Sequence, residues 1–243
     1  MLASQAIGVS KITNLLESED VLNALKAIKH LGINYKKKGN AYFINSYGLN
    51  SFKIKNKLKI NAGNSGTLAR LLLGLLVDTK KEITIVGDNS LSNRDFSRVT
   101  EPLKLFGANI NSNNKKLPVK ILGTEFLRPI NYFETKGSAQ CKSCVMLAAL
   151  KTPGLTRIKA RKSRNHTELL FKYLNIPMTV TKKINYDFIN IIGQKNFNSF
   201  NYKVPGDISS SSFFIVLAIL SKDSKLIIKN VNINKSRTGI IKI

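Results

Sequence analysis

The sequence predicts an α/β fold made of repeated units, in which buried parallel helices lie under small sheets. Three observations lead to this prediction. Two kinds of helical segment alternate along the chain, short β-rich runs separate them, and helices of one kind recur about 70 residues apart. The chain has 243 residues, of which 43% are hydrophobic, so it is long enough to bury a substantial core.

Helices of the first kind open with small polar residues and continue almost entirely with apolar ones. Because a helix that is apolar all round is covered on every side, these segments are expected to form the centre of the fold. They span residues 63–77, 138–150 and 209–220, and residues 1–7 look like the end of a further helix of this kind.

Helices of the second kind are amphipathic, with one apolar face against the core. Each begins near Ser or Asn with acidic residues close by and ends at Gly or Asn, which is typical of helix caps. They span residues 18–32, 92–107 and 163–175.

Short runs of β-branched, apolar and aromatic residues between and after the helices predict strands. They span residues 41–44, 82–86, 117–122, 156–160, 178–181 and 188–192. Each unit therefore consists of a buried helix, a strand, an amphipathic helix and further strands. The repeat is incomplete at both ends, since the first unit has only the end of its buried helix and the last unit has little beyond residues 209–220. The periodicity thus predicts a piece of a longer protein.

The net charge of +25 is typical of a protein that binds nucleic acid or anionic substrates. Most of the basic residues are lysines, however, and they are scattered along the chain without interleaved stacking aromatics. Abundant Lys, Asn and Ile are what an AT-rich coding sequence gives, so base composition explains much of the charge. We expect no nucleic-acid partner. A basic nucleic-acid-binding α/β protein is the alternative, and it would need a continuous Lys/Arg face.

Membrane, secretion and metal signals are weak. The longest apolar run is residues 213–220 and no signal peptide is recognisable, so we expect a cytoplasmic protein with no membrane partner. Cys141 and Cys144 have a spacing that suits redox or metal chemistry, but a zinc site needs four ligands. His30 and His166 lie far from them in the sequence.

The small-residue starts of the buried helices are the candidate functional sites. A helix N-terminus presents free N–H groups and a positive dipole to an anion, and Gly or Ser lets the anion approach closely. Residues 87–107 add Arg94 and Arg98, which are predicted to lie one helical turn apart and could hold carboxylate or phosphate bidentately. Taken singly, each feature also fits an ordinary capped helix or a solvated helix face. Their repetition favours a site.

The chain resembles the family of 3-phosphoshikimate 1-carboxyvinyltransferases (EPSP synthases), which are enolpyruvyl transferases. The matching stretches, in order, are residues 16–20 (LESED), 63–72 (GNSGTLARLL), 87–108, 138–143 (SAQCKS), 163–168 (SRNHTE), 204–214 (VPGDISSSSFF) and 234–239 (NKSRTG). The resemblance implies two lobes, each an inside-out α/β barrel of three units, with a ligand cleft where helix N-termini converge. It places residues 1–204 in the first lobe and residues 205–243 at the beginning of the second.

The implied reaction transfers the enolpyruvyl group of phosphoenolpyruvate to the 5-hydroxyl of shikimate 3-phosphate, with release of phosphate, in the shikimate pathway to aromatic amino acids. By resemblance, Ser138, Ala139 and Gln140 bind shikimate 3-phosphate, and Ser163 and Arg164 act at its phosphate. No metal or cofactor is implied.

For phosphoenolpyruvate, the resemblance implies contacts with Gly66, Arg94 and Gln140, while Asn64 and Thr67 shape the turn before the helix. The family's catalytic base and lysine fall outside the matching stretches, so no catalytic residue is assigned in this chain. We therefore expect no activity from the chain alone, and a complementary second-lobe fragment as its partner.

Two features distinguish this chain within the wider group of enolpyruvyl transferases. Asp95 follows Arg94 where the family usually has Pro. The sister enzymes that act on UDP-N-acetylglucosamine, which are the alternative assignment, usually carry a catalytic Cys in a mobile loop. Neither Cys141 nor Cys144 is predicted to lie in a loop, and both are expected to be unreactive side chains packed on a buried helix.

Overall fold

The computed structural model describes residues 1–242, most of which form three similar units. The first contains a 3₁₀ helix (Leu2–Gln5), β1 (Ile7–Thr13), α1 (Glu19–His30), β2 (Asn34–Lys38) and β3 (Ala41–Tyr47). The second contains β4 (Leu58–Asn61), α2 (Gly66–Leu75), β5 (Ile83–Val86), α3 (Asn89–Ser92), α4 (Ser97–Leu105), β6 (Asn109–Asn113) and β7 (Lys116–Leu122). The third contains β8 (Asn131–Glu134), α5 (Ala139–Lys151), β9 (Leu155–Arg161), α6 (His166–Tyr173), β10 (Met178–Lys182) and β11 (Tyr186–Ile192), and it is followed by β12 (Asn201–Lys203), α7 (Ile208–Leu220) and a 3₁₀ helix (Gly239–Lys242).

The three sheets share one topology, which confirms the predicted repeat. The second sheet has the order β4-β5-β7-β6, and the third has the order β8-β9-β11-β10. In both, the first two strands are parallel and the other pairs are antiparallel. The first sheet, β12-β1-β3-β2, repeats this pattern, although β12 comes from far along the chain. The sheets are separate, so they form no closed barrel within residues 1–242.

The centre of the molecule is the packing of α2 against α5. Every residue of α5 from Cys141 to Lys151 is buried, as the apolar sequence predicts. The two helices approach so closely at Gly74 that a Cβ there would overlap the carbonyl oxygen of Cys144. Cys141 and Cys144 are both buried free thiols of this helix, and burial raises the pKa of each.

In the first unit, the 3₁₀ helix takes the place before β1 that α2 and α5 take before β5 and β9. Its residues are buried, which agrees with the predicted end of a central helix, although Ile7 already belongs to a strand. Beside it lies a mainly apolar cavity of about 580 Å³, whose lining includes Leu25, Leu68, Leu147 and Leu170. Among residues 1–242, no helix is both long and apolar enough to cross a membrane.

Residues 209–220 form α7, as the apolar sequence predicts, and most of this helix is exposed. A helix of this composition needs burial on several sides, and without partner helices we expected Phe213, Phe214, Ile215 and Leu217 to be exposed. In α7 only Ile208 and Ser211 are buried, and Phe213 is 78% exposed. Phe214 and Leu217 are exposed as well, whereas Ile215 is half-buried.

The predicted helix at residues 92–107 is also wrong in part, because the chain there forms α3, a turn and α4. Asp88 caps α3 by accepting from the Leu91 amide, 2.7 Å away. Asp95 accepts from both the amide and the hydroxyl of Ser97 and so starts α4. Short polar side chains compete in this way with continuous helix. Arg94 therefore lies in the turn, and not one helical turn from Arg98.

Candidate anion-binding site

Gln140 joins the N-terminal turns of the two central helices. Its Oε1 accepts a hydrogen bond from Arg70 Nη1 at 2.6 Å, and its Nε2 donates to Thr67 Oγ1 at 2.8 Å. Since Gln140 is the second residue of α5 and Thr67 the second of α2, the two helices begin side by side. The predicted convergence of helix N-termini is confirmed for this pair.

Both helices start with a serine cap. Ser65 Oγ accepts from the Leu68 amide at 3.1 Å, and Ser138 Oγ accepts from the Cys141 amide at 3.3 Å. Each cap satisfies one N–H of the first turn, and the positive ends of the two helix dipoles point in the same direction. Two neighbouring helix N-termini favour the binding of a negatively charged group.

Arginines surround the start of α2. A Cβ at Gly66 would lie 3.1 Å from Arg70 Nη1 and 3.2 Å from Arg94 Nη1, so both guanidinium groups face this glycine. Burial lowers the pKa of Arg70, and the nearby Arg94 and Arg98 lower it further. An anion bound here would relieve the repulsion among the three cations.

The loops around the site are held by specific hydrogen bonds. Asn64 donates to Asp88 at 2.6 Å and accepts weakly from Arg94 at 3.5 Å. Arg70 Nη2 donates to the Asp95 carbonyl, and its guanidinium lies 5.1 Å from the centre of the Phe96 ring. Asp95 thus contributes its backbone oxygen to the cluster and its side chain to the start of α4.

The two carboxylates in the loops around the site, those of Asp88 and Asp95, are poor bases. Hydrogen bonds from the Leu91 amide and from Asn64 lower the pKa of Asp88. Hydrogen bonds from the hydroxyl and amide of Ser97 lower the pKa of Asp95. Both groups are therefore ionised at neutral pH and already serve as acceptors in the loops.

The loop between β9 and α6 adjoins the start of α5. A Cβ at Gly137 would lie 3.3 Å from the Lys162 carbonyl oxygen, which places the residue before Ser138 beside the residue before Ser163. Ser163 Oγ is buried and has no hydrogen-bond partner within residues 1–242. Arg164 is exposed and forms no ion pair among those residues.

Of the residues singled out in the sequence, Gly66 faces Arg94, and Gln140 reaches the same helix start through Thr67 and Arg70. Ser138 and Ala139 immediately precede Gln140 in the chain. Ser163 lies on the adjoining loop with Arg164. Arg70 belongs to the candidate site but was not predicted, although it stands four residues after Gly66. That spacing places both residues on one face of a helix.

The two cysteines lie on a buried helix and not in a loop, as predicted. In the part of the chain that is described, no three His, Cys, Asp or Glu side chains are close enough together to hold a metal ion.

The threefold repeat, together with two helix N-termini and arginines that meet at one place, defines a protein of the repeated α/β class with a candidate anion-binding site. A family model described as EPSP synthase (3-phosphoshikimate 1-carboxyvinyltransferase) matches residues 1–243. The chain belongs to the EPSP synthase family.

Individual relatives agree with this assignment. The chain is 41% identical over its whole length to 3-phosphoshikimate 1-carboxyvinyltransferase of Vesicomyosocius okutanii, of which it covers 55%, and 38% identical to that of Lactococcus lactis (strain IL1403), of which it covers 56%. A solved EPSP synthase structure from Acinetobacter baumannii superposes with a TM-score of 0.88 at 34% identity, over 99% of this chain and 54% of that one. The chain thus spans about half the length of the relatives it matches.

Proposed function

We propose that this chain supplies one face of the active site of an EPSP synthase, the enzyme that transfers the enolpyruvyl group of phosphoenolpyruvate to the 5-hydroxyl of shikimate 3-phosphate. The observation that carries the proposal is the Gln140 bridge between Arg70 and Thr67, which brings two helix N-termini into one site. Family membership supplies the reaction, and the bridge supplies a place where two anionic substrates can meet.

In this proposal shikimate 3-phosphate lies at Ser138, Ala139 and Gln140, with its phosphate toward the loop that carries Ser163 and Arg164. The capped start of α5 offers N–H donors, and the buried Ser163 hydroxyl offers a further donor.

Phosphoenolpyruvate lies beside Gly66, held by Arg94 and by Gln140, and Arg70 adds positive charge. The lack of a side chain at Gly66 allows close approach to the backbone of α2. The 5-hydroxyl loses its proton as its oxygen adds to carbon 2 of phosphoenolpyruvate, carbon 3 takes up a proton, and a tetrahedral intermediate forms. Loss of a proton from carbon 3 and of phosphate from carbon 2 then restores the double bond. Fixed cations and N–H donors stabilise this intermediate and the departing phosphate.

The proposal includes a partner and a location. Residues 1–204 form one lobe, residues 205–243 belong to the next, and a second-lobe fragment completes the cleft with the base and the remaining cations. The enzyme works in the cytoplasm.

Calorimetry tests the proposal directly. The purified chain is titrated with shikimate 3-phosphate, and then with phosphoenolpyruvate in its presence. Gln140→Ala should weaken shikimate 3-phosphate binding by about 10-fold, because it removes both contacts between the helix starts. Asn190→Ala is the matched control, since Asn190 also donates to a threonine hydroxyl but on the third sheet. Equal binding by both variants, or no binding by the unaltered chain, would count against the proposal.

A further inference from the structure

One buried ion pair joins α5 to α6, and neither of its residues is among the proposed ligand contacts. Lys142 Nζ of α5 is 2.5 Å from Glu168 Oε1 of α6, and the two side chains are 0% and 7% exposed. By hydrogen-bond geometry, Lys142 Nζ and both carboxylate oxygens of Glu168 have no partner among residues 1–242, so the two groups are held together by charge. Within those residues, Lys142 is the cation that compensates this carboxylate.

Both members of the pair belong to the first turn of a helix. The Lys142 amide donates to the Ser138 carbonyl at 3.1 Å, so the backbone of Lys142 closes the turn that contains Ser138, Ala139 and Gln140. Glu168 is the third residue of α6, directly after the loop of Ser163. The ion pair thus connects the two segments that make up the proposed shikimate 3-phosphate site.

A second contact runs in parallel. Ser143 Oγ and Thr167 Oγ1 are 2.6 Å apart, so consecutive residues of α5 meet consecutive residues of α6. Two contacts at neighbouring positions fix rotation as well as distance between the helix starts.

Stability alone does not explain an ion pair at this position. The free energy lost by removing two charges from water is about as large as the free energy gained from their attraction. Apolar side chains of similar volume therefore commonly stabilise a protein as well or better. A charged pair favours one relative position of the two helices. Moving the helices apart would leave each charge buried and unpaired, which is strongly disfavoured.

We propose that Lys142 and Glu168 are positioning residues, which hold the start of α5 and the loop before α6 at the separation that shikimate 3-phosphate requires. This inference rests on the proposed function for its ligand. Neither side chain touches the ligand, and the pair acts through Ser138, Gln140 and Ser163.

The test separates positioning from stability. Lys142→Met alone leaves a buried carboxylate unpaired and lowers the urea midpoint, and Lys142→Met with Glu168→Met restores it. In the restored double variant we expect shikimate 3-phosphate binding to be weaker by about 10-fold, since small displacements of binding groups have effects of that size. Hydrogen exchange at residues 163–168 should be faster by a similar factor. The exposed pair Lys104–Glu101, 3.0 Å apart on α4, is the control and should change neither quantity when both residues become Met.

The possible results distinguish failure of the positioning role from failure of the proposed function. If the double variant binds shikimate 3-phosphate within about twofold of the unaltered chain, with unchanged exchange, the positioning role is wrong. If the unaltered chain does not bind the ligand, the proposed function fails, and the exchange measurement still decides whether the pair fixes the loop. If the double variant does not recover its midpoint, Glu168→Gln, which keeps the shape of the side chain, is assessed by the same two measurements.

Discussion

Two guanidinium groups face Gly66 at the start of α2, so adding a single methyl group at this residue should weaken ligand binding. Gly66→Ala would place a Cβ 3.1 Å and 3.2 Å from Nη1 of Arg70 and Arg94. We expect phosphoenolpyruvate binding, measured by calorimetry with shikimate 3-phosphate present, to weaken by about 10-fold. The unfolding midpoint should hardly change, because both arginines are flexible at their ends. Gly239→Ala is the control, since a Cβ at Gly239 would meet nothing within 4 Å.

Arg94 offers a second test at the same scale. A lysine keeps the charge but loses the planar fork that grips an anion with two hydrogen bonds. Arg94→Lys should therefore weaken phosphoenolpyruvate binding by about 10-fold and shikimate 3-phosphate binding by less than about twofold. Arg128→Lys, at an exposed arginine that donates to the Leu105 carbonyl, is the control. Equal losses for both ligands would contradict the assignment of Arg94 to phosphoenolpyruvate.

Much of the site could be predicted because Gly, Ser and Arg at helix starts have a direct physical meaning. Gly66, Ser138 and Gln140 lie where their motifs indicated. Arg70 was missed because it stands inside an apolar run, and only the neighbouring α5 reveals that its side chain meets Gln140. The packing of two helices that lie far apart in the sequence is not visible in either one alone.

Some lysines lie beside aromatic residues that are far from them in the sequence. On the third sheet, Lys159 Nζ lies 4.7 Å from the centre of the Phe133 ring and 4.8 Å from that of Tyr186. Phe133 and Phe188 are direct cross-strand partners of Lys159. These neighbours come from separate strands, so only the sheet register brings them together.

Among the elements, the contact between α2 and α5 makes the sharpest prediction. Alanine is a better helix former than glycine by about 1 kcal/mol, so Gly74→Ala should stabilise α2 if propensity decides. Because the new methyl group would overlap the Cys144 carbonyl, we expect overpacking to prevail and the free energy of unfolding to fall by roughly 1–3 kcal/mol. Urea denaturation measures the change, with Gly239→Ala as the reference substitution. A rise in stability would show that the helices separate easily.

The exposed face of α7 should promote association. Phe213 and Leu217 are 78% and 61% exposed, and neighbouring Phe214 is exposed as well. Phe213→Ser with Leu217→Ser should reduce concentration-dependent light scattering, while the urea midpoint of the main transition stays the same because these side chains bury little area. Phe126→Ser removes a solitary aromatic that is 87% exposed and should leave the scattering unchanged. Unchanged scattering in the α7 variant would mean that another surface is responsible.

The helices were predicted better than the strands, and burial explains why. Central helices such as α5 are buried along most of their length and carry long apolar stretches, whereas β2 carries three lysines and has no fully buried residue. Polar strands of this kind, among them β6 and the three-residue β12, belong to the fold because a partner strand pairs with them. Their own side chains give little sign of it.

For the molecule as a whole, the proposal predicts that activity needs more than this chain. The carboxylates near the site are ionised and engaged in loop hydrogen bonds, and the chain covers 55% of a relative that is 41% identical to it. Groups that act together in one reaction lose rate multiplicatively when some are absent. We expect no phosphate release from phosphoenolpyruvate and shikimate 3-phosphate by the chain alone, and measurable release when the unmatched part of that relative is added. Turnover by the isolated chain near the usual enzyme rate of about 10 s⁻¹ would refute this.

The pairing of β12 with β1 determines when the first sheet can be completed during biosynthesis. Lys11 pairs with Asn201, and nearby Ser10 and Phe200 are joined across 190 residues. At a ribosomal speed of about 5–20 residues per second, the nascent chain carries an open edge on β1 for roughly 10–40 s before its partner exists. The second and third sheets need no such distant strand, because the strands of each come from one contiguous stretch of the chain. Among these three units, the one synthesised first is therefore the last to be completed, and during that interval its unpaired strand edge is open to pairing with other chains.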